Sequence, residues 1–445
     1  MTSRIRRLAA RLAPFAAGVC LLAAGGCSGL LDVTNPNNVN QNDLGNPAAA
    51  ASIANGALAS VSQGVSNILG PMSAVSDEFT QAGSRDAWLQ LTYGNIDDSH
   101  NEFSDAAWPD VARARWTADD AIQRLAAFND AKKLPNAADL TRSYIYGAVI
   151  YAAIADAYDD AVVGSDHQTA APPVGPANMV KLYDTAIGYL DKALQLAQAN
   201  NDAANRLAAL ALKSRIEFAK AVWPELHPAG HVPADALVAD AAAVADAQAF
   251  FALNPPRDWN FQLTYSANTV SDIAAGNANE SLYIRISDVY MVPDASGKHY
   301  AATRLQDPID KIPSPTLTAN IKSWVNNRSY SPITLVSARE LNLILAEAAL
   351  KNGDTGTFAT QVNAVRSLDG LTPWSGQVPA LQILQHERQV NLFLQMRRLT
   401  DEYRFGLPSP EWQATSAAAS KPGTFFPIAY SEALTNCYIA GTCNK

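Results

Sequence analysis

Glu387, Arg388, Arg398 and Asp401 are the residue types that catalysis uses: carboxylates to move a proton and guanidiniums to hold an anion. The pair Asp159–Asp160 could in principle serve glycosidic cleavage, which needs two acids flanking one bond. Nothing separates that pair from a solvated helix end. His386–Glu387 starts the zinc-protease pattern, but the second histidine is due at position 390, which is Val390. Of the six histidines only His227 and His231 stand at i, i+4, and Pro228 and Pro233 break the helix that would align them. No Gly-x-Ser-x-Gly elbow, phosphate loop or dinucleotide fingerprint occurs. No catalytic residue, metal or cofactor is therefore expected. Arg398 and Asp401, three apart on one helical face with Glu387 nearly three turns earlier, read instead as ion pairs tying a last long helix to its neighbours.

Binding chemistry is better represented. A sugar presents C–H faces that stack on flat aromatic rings and hydroxyls that amides, carboxylates or arginine fix. Arg85, Trp88, Tyr93 and Asn95 supply such a set in one loop, and Trp259, Tyr265, Tyr290, Tyr300 and Trp324 supply another. The candidate ligand residues are Arg85, Trp88, Tyr93, Asn95, Trp259, Tyr290 and Trp324. Trp88 and Trp324 lead because polar residues surround both, Asn326 and Asn327 following the second. Core packing is the alternative for each ring. Trp108, Trp116 and Trp223 fall in helical patterns and are assigned to packing.

The chain opens with Arg4, Arg6, Arg7 and Arg11, then an apolar stretch from Leu12 to Ala24, then Gly25-Gly26-Cys27. This is a secretory leader, residues 1–26, too short in its apolar part to remain as a membrane helix. The cysteine after small residues resembles a lipobox, with Cys27 as the lipid-bearing residue. An anchor of two or more acyl chains holds firmly, at about 0.8 kcal/mol per buried CH₂. The whole chain carries 33 basic and 42 acidic side chains; without the leader's four arginines 29 basic remain, for a net charge of −13. Such a chain is a poor partner for nucleic acid or anionic lipid and suits neutral or cationic ligands. Cys20 leaves with the leader, so Cys437 and Cys443 remain to form one disulfide in an oxidising compartment.

The elements that must position these groups are mostly helical. A polar, Asn- and Pro-rich stretch, Leu31 to Val39, reads as a tether, and a first helix is expected over Pro47 to Gln63, capped by Asn46. From about 105 to 221 small and large apolar residues recur at helical spacing, as in Tyr144, Ala148, Tyr151, Ala152, Ala155 and Tyr158. Helical hairpins repeating every 34 to 40 residues or so mark tetratricopeptide-like arrays. Residues 222–336 are crowded with Pro, Gly and Asn and hold strand-like snatches such as Ser281 to Ile286; an insertion of this kind is a binding surface. Helices resume over 337–351, 358–367 and 380–401.

Several ordered blocks resemble the SusD/RagB family. They are Cys27 with Leu31-Asp32-Val33 and Pro36-Asn37-Asn38-Val39; Arg339-Glu340-Leu341 with Ala346-Glu347-Ala348; Gly353-Asp354 and Val362 to Arg366; Glu387-Arg388, Leu392-Phe393, Arg398, Asp401 and Arg404-Phe405-Gly406; and Phe426-Pro427-Ile428, Glu432 and Asn436. The family usually carries glutamate where this chain has Asn391 and Gln395, and glycine where it has Met396. The resemblance implies a mostly α, tetratricopeptide-like frame, about 105–221 and 337–401, within a single SusD-like domain over 27–445. It implies a non-catalytic, lipid-anchored protein on the outer face of the outer membrane, capping a SusC-like TonB-dependent barrel and delivering captured oligosaccharide to it. An oligopeptide ligand, a surface hydrolase and a protein-binding scaffold are the other readings.

Overall fold

The computed structural model describes residues 43–164 and 169–443. The leader, Cys27 and the stretch from Leu31 to Val39 lie outside the described residues. The chain divides into two compact units, Met1–Ala49 and Ala50–Lys445. The described part of the first holds two 3₁₀ turns, Asp43–Gly45 and Pro47–Ala49. Everything that follows concerns the second unit.

Helix α1 spans Ala50–Val75, a full twelve residues beyond the expected end at Gln63, and carries Pro71 inside it. Ser66, Asn67 and Ser73, polar residues beyond that point, are buried: Ser66 Oγ bonds Ser271 Oγ across the core (2.8 Å), and Ser73 Oγ bonds Glu78 just past the helix end (3.0 Å). After the short α2 (Asp86–Thr92) come α3 (Glu102–Asp130), α4 (Ala137–Ala157), α5 (Lys181–Ala199) and α6 (Ala203–Leu226). Each of α3 to α6 packs on the next, and α1 packs on α3 and α4, so the helical frame begins at Ala50 and not near residue 105. Asn101 starts α3 by accepting the Phe103 and Ser104 N–H groups, which would otherwise be orphaned at the helix end. Small residues set the spacing. A Cβ on Gly147 would lie 2.8 Å from the Tyr189 ring, so α4 and α5 approach only because that atom is missing.

The segment 222–336 is more ordered than its composition suggests. It contains α7 (Ala241–Ala252), started by Asp240, and α8 (Pro315–Asn326), started by Ser314 with Pro315 in the first turn. Three two-stranded antiparallel sheets use it: β1 (Phe79–Gln81) with β3 (Ile284–Ile286), β2 (Asn260–Leu263) with β6 (Ile333–Ser337), and β4 (Met291–Pro293) with β5 (Tyr300–Thr303). The strand expected over Ser281 to Ile286 is thus present in its second half.

Helices α9 (Ala338–Lys351) and α10 (Thr355–Arg366) pack with α11 (Ala380–Asn391) around Leu343, Phe358, Val362, Trp374 and Ile383. The single helix expected over 380–401 is two helices. Between α11 and α12 (Arg398–Phe405) the chain turns through Leu394 and Met396, whose φ angles of 56° and 61° are left-handed and cannot continue a helix. That conformation suits glycine, the residue the resemblance places at 396. Glu78 holds the turn by accepting the Leu394 N–H at 2.6 Å.

Candidate ligand-binding groove

The charged residues that could have been catalytic are committed to one another. Arg388 makes two bonds to Asp401 (2.8 and 3.1 Å), and Asp401 also accepts from Arg404 Nε at 2.9 Å, while Arg404 pairs with Glu347. Arg366 is fully buried between Asp307 and Glu387, 2.7 Å from each. Arg398 makes two bonds to Asp77, 2.7 and 2.6 Å. Glu387 and Arg398 therefore belong to different clusters and do not share the helical face expected of them. Asn391, standing where the family usually has glutamate, bridges instead as a neutral amide: it accepts from Arg339 and donates to Glu387, both at 2.9 Å.

Burial and partners set the protonation of these groups. The two guanidiniums on Asp401 hold its carboxyl below the usual range against its desolvation. Glu387 has one cation shared with Asp307, and burial pushes it up to about 7. Burial likewise pushes Glu78 up to about 7, against the Leu394 N–H, the Ser73 hydroxyl and the nearby Arg398 charge. Burial holds His386 down to about 4, so its ring is neutral. The cleft beside Arg388, lined also by Arg215, Glu340 and Arg397, measures about 40 Å³, room for a few waters and not for a substrate.

A larger opening of about 230 Å³ lies in the loop-rich segment, between β3, the β4–β5 hairpin and the end of α8. Its wall is built firmly. Arg285, on β3, is clamped by two bonds to Asp288 (3.1 and 2.8 Å) and by the Ile286 carbonyl (3.0 Å). The Tyr300 hydroxyl bonds Thr303 Oγ1 at 2.9 Å, which bonds Thr318 Oγ1 at 2.8 Å, so the half-buried ring is fixed to α8. Asn279 donates to the carbonyls of Trp324 and Arg328, both at 3.0 Å, and pins the end of that helix. Exposed Lys298, His299 and Asn326 stand at the rim. The hairpin tip that presents the first two is closed by Asp294, which accepts from Ser296 at 2.6 Å and donates its N–H to the His299 carbonyl at 2.8 Å. A ring face, a fixed guanidinium and an amide around one open groove can hold a polyhydroxylated chain.

None of the seven ligand residues expected from sequence lines this groove. Trp88 is 0 % exposed and stacks on Phe103 at 3.8 Å, and Tyr290 is 0 % exposed with its hydroxyl on Asp77 at 2.9 Å. Trp324 is 5 % exposed and packs 6.1 Å from Phe79. The polar neighbours that recommended Trp88 and Trp324 lie on the outer sides of their helices, while the rings face inward. Stacking of these three on a ligand is thereby corrected. Trp259 is half-buried against Phe250 at 5.0 Å, Tyr93 is half-buried, and Asn95 donates to Gln90 at 2.7 Å. Arg85 is at the surface, paired with Glu102 and lying 5.4 Å over both Phe103 and Tyr283. Arg285 and Lys298 were not among the expected residues although Tyr283 and Tyr300 each stand two positions away; the turn-forming run Asp294 to Gly297 was a further available signal. At the C-terminus Cys437 and Cys443 are bonded to each other.

No family model matches the sequence, and neither does any curated protein. Solved structures do match. A SusD superfamily protein from Bacteroides thetaiotaomicron superposes with a TM-score of 0.62 at 15% identity, over 88% of this chain and 98% of that one. The chain has a SusD-like fold. A second SusD superfamily protein, from Bacteroides fragilis, gives 0.62 at 13% identity over 88% and 99%. A structure described as a SusD-like carbohydrate binding protein from Bacteroides vulgatus gives 0.54 at 12% identity over 81% and 83%. The match covers between 83% and 99% of these three structures. Among the described residues no helix is long and apolar enough to cross a membrane, and no cluster of His, Cys, Asp and Glu suits a metal ion.

Proposed function

We propose that this chain is a SusD/RagB-type binding lipoprotein, anchored through Cys27 to the outer membrane and facing the cell exterior. It captures an extracellular oligosaccharide in the groove of Arg285, Tyr300 and Asn326 and passes it to a SusC-like TonB-dependent barrel. The observation that carries this reading is the open, rigidly walled groove in the loop-rich part of a SusD-like fold. The net charge of −13 left after removal of the leader supports a neutral ligand over an anionic one, and the carbohydrate-binding description of the Bacteroides vulgatus structure points the same way. The charged clusters support binding without turnover, since their side chains are spent on one another.

The test is titration calorimetry of the purified chain against a panel of neutral oligosaccharides and a panel of oligopeptides. Saturable binding of an oligosaccharide, weakened by Tyr300→Ala and with no product released, supports the reading. Binding confined to peptides, or hydrolysis of the bound oligosaccharide, overturns it.

A further inference from the structure

Three carboxyl side chains meet in the core just past the end of α1, and one guanidinium serves them. Asp77, Glu78 and Glu402 are 2 %, 1 % and 1 % exposed. Arg398 makes its two bonds to Asp77 and lies 3.5 Å from Glu402. Asp77 also accepts from the Tyr290 hydroxyl at 2.9 Å, to which Gln389 of α11 donates at 3.5 Å. Glu402 accepts the Asp77 N–H at 3.4 Å through one oxygen, and its other oxygen has no hydrogen-bond partner. Glu78 accepts from Ser73 (3.0 Å) and from the Leu394 N–H (2.6 Å). Farther out stand Glu411, 3.4 Å from Ser287 Oγ, and Arg285 beside it.

Ionised together, these acids would set three negative charges around one positive charge, out of water. A site of that kind retains protons instead. Burial holds Glu402 well above the usual carboxylate range and Glu78 up to about 7, with the Asp77 charge adding to both. The Ser73 hydroxyl suits either state of Glu78, since it donates to an ionised carboxyl and accepts from a protonated one. The cluster also closes the chain around itself. The turn at Leu394 and Met396 is left-handed at both residues, an unfavourable conformation for side chains that carry a Cβ. Glu78 holds it from one side, and Arg397 holds it from the other through Glu340 and the Leu335 carbonyl, both at 2.8 Å. The Glu78 carbonyl accepts the Ser287 N–H at 3.0 Å, and the Phe393 ring packs 5.0 Å from Tyr290. Turn and β3–β4 loop therefore share one set of buried acids.

We infer that Asp77, Glu78, Glu402 and Arg398 form a proton-operated latch: it keeps the α11–α12 turn and the loop from Ser287 to Tyr290 closed while the acids retain a proton, and lets both open as that proton leaves. Opening admits water, which solvates the freed carboxylates and returns them to ordinary acidity. Glu78, raised in the closed form, contributes to closure fully below its ordinary pKa, and that contribution is lost as pH rises through the closed-state value. Its window therefore runs from 4.5 to about 7, and Glu402, held higher, extends the window upward. Within it each proton released raises the opening equilibrium by up to about 10-fold per pH unit. The motion is a local opening, distinct from unfolding of the helical frame, and it stands whether or not the groove of Arg285 and Tyr300 binds a ligand.

Hydrogen–deuterium exchange of the mature chain, read by mass spectrometry at pH 5, 6, 7 and 8, tests this, with labelling times scaled to the chemical exchange rate at each pH. Peptides covering 392–397 and 286–291 exchange faster than α4, and their protection falls about 5- to 10-fold per pH unit between pH 5 and 7. Glu78→Gln, which keeps an acceptor for the Leu394 N–H, removes most of that slope below pH 7. Glu402→Gln removes the part that continues above it, and the double variant is flat in both peptides. Should the double variant fail to fold, the two single variants carry the test by the separate parts of the slope they remove. Glu387→Gln, a buried acid of the neighbouring cluster, leaves the slope in both peptides unchanged. The inference is overturned by protection that does not vary with pH in the native chain, by opening of the two peptides only together with α4, by a slope that survives both Glu78→Gln and Glu402→Gln, or by loss of the slope in Glu387→Gln.

Discussion

Replacing Arg366 by methionine isolates what the buried ion clusters contribute. The guanidinium is fully buried, and so in effect are its two acids: the side chains of Asp307 and Glu387 are 0 % and 2 % exposed. Methionine fills a similar volume and leaves two carboxyls facing each other without their cation. Asp307 keeps the N–H groups of Ile309 (2.9 Å) and Asp310 (2.8 Å) and stays ionised; Glu387 keeps only Asn391. Removing one member of a buried pair costs about 3–5 kcal/mol. The pH dependence follows from Glu387. In the native chain burial raises it from 4.5 to about 7, and loss of the cation raises it further. A carboxyl raised in the folded state contributes stability that is lost as pH rises through its folded pKa. The variant's Glu387 is protonated over a range where the native one is already charged, so its deficit narrows as pH falls from about 9 toward 7. The narrowing is at most about 1.4 kcal/mol per pH unit and levels off below 7. Urea unfolding of both proteins at pH 9, 8, 7 and 6.5 measures this. A deficit under about 1 kcal/mol at pH 8, or one that does not change with pH, refutes the reasoning.

Glu78→Gln removes a carboxyl that burial already pushes up to about 7 while leaving an acceptor for the Leu394 N–H. The variant should match the native chain at pH 5, exceed it in stability at pH 8.5, and flatten the native decline between pH 4.5 and 7 seen in urea titrations. Tyr300→Ala should lower oligosaccharide affinity about 10-fold by calorimetry while leaving the urea midpoint within a few tenths of its native value, because the ring is half-buried at a surface hairpin. Asn101→Ala takes the cap from α3 and the bond from its side chain to the Ala87 carbonyl (2.8 Å), and should cost about 1–2 kcal/mol in the same unfolding assay.

The helical frame was legible because small and large apolar residues alternate at helical spacing through α3 to α6, a signal that survives any sequence divergence that preserves the core. The length of α1 was hidden by Ser66, Asn67 and Ser73, polar residues that read as surface but bond inside the core. The break between α11 and α12 was hidden because Leu394 and Met396 carry none of the glycine or proline that marks a turn. It is imposed by distant contacts, Glu78 on the Leu394 N–H among them. The site was less legible than the fold. Aromatic rings with polar sequence neighbours looked like stacking platforms, yet at Trp88 and Trp324 the neighbours point outward precisely where a helix turns its other side to the core. The groove is instead made by residues far apart in sequence, Asn279, Arg285, Tyr300 and Asn326, which only the β3 strand, the β4–β5 hairpin and α8 bring together.

The central claim, capture of a nutrient for a transporter, is tested most directly by isolating the tagged chain from gently solubilised outer membranes and weighing what accompanies it by mass spectrometry. The account predicts a TonB-dependent barrel in near-equal amount, with the chain's own N-terminus acylated at Cys27. Recovery of the chain without any barrel would contradict delivery to a transporter and leave a free-standing binder.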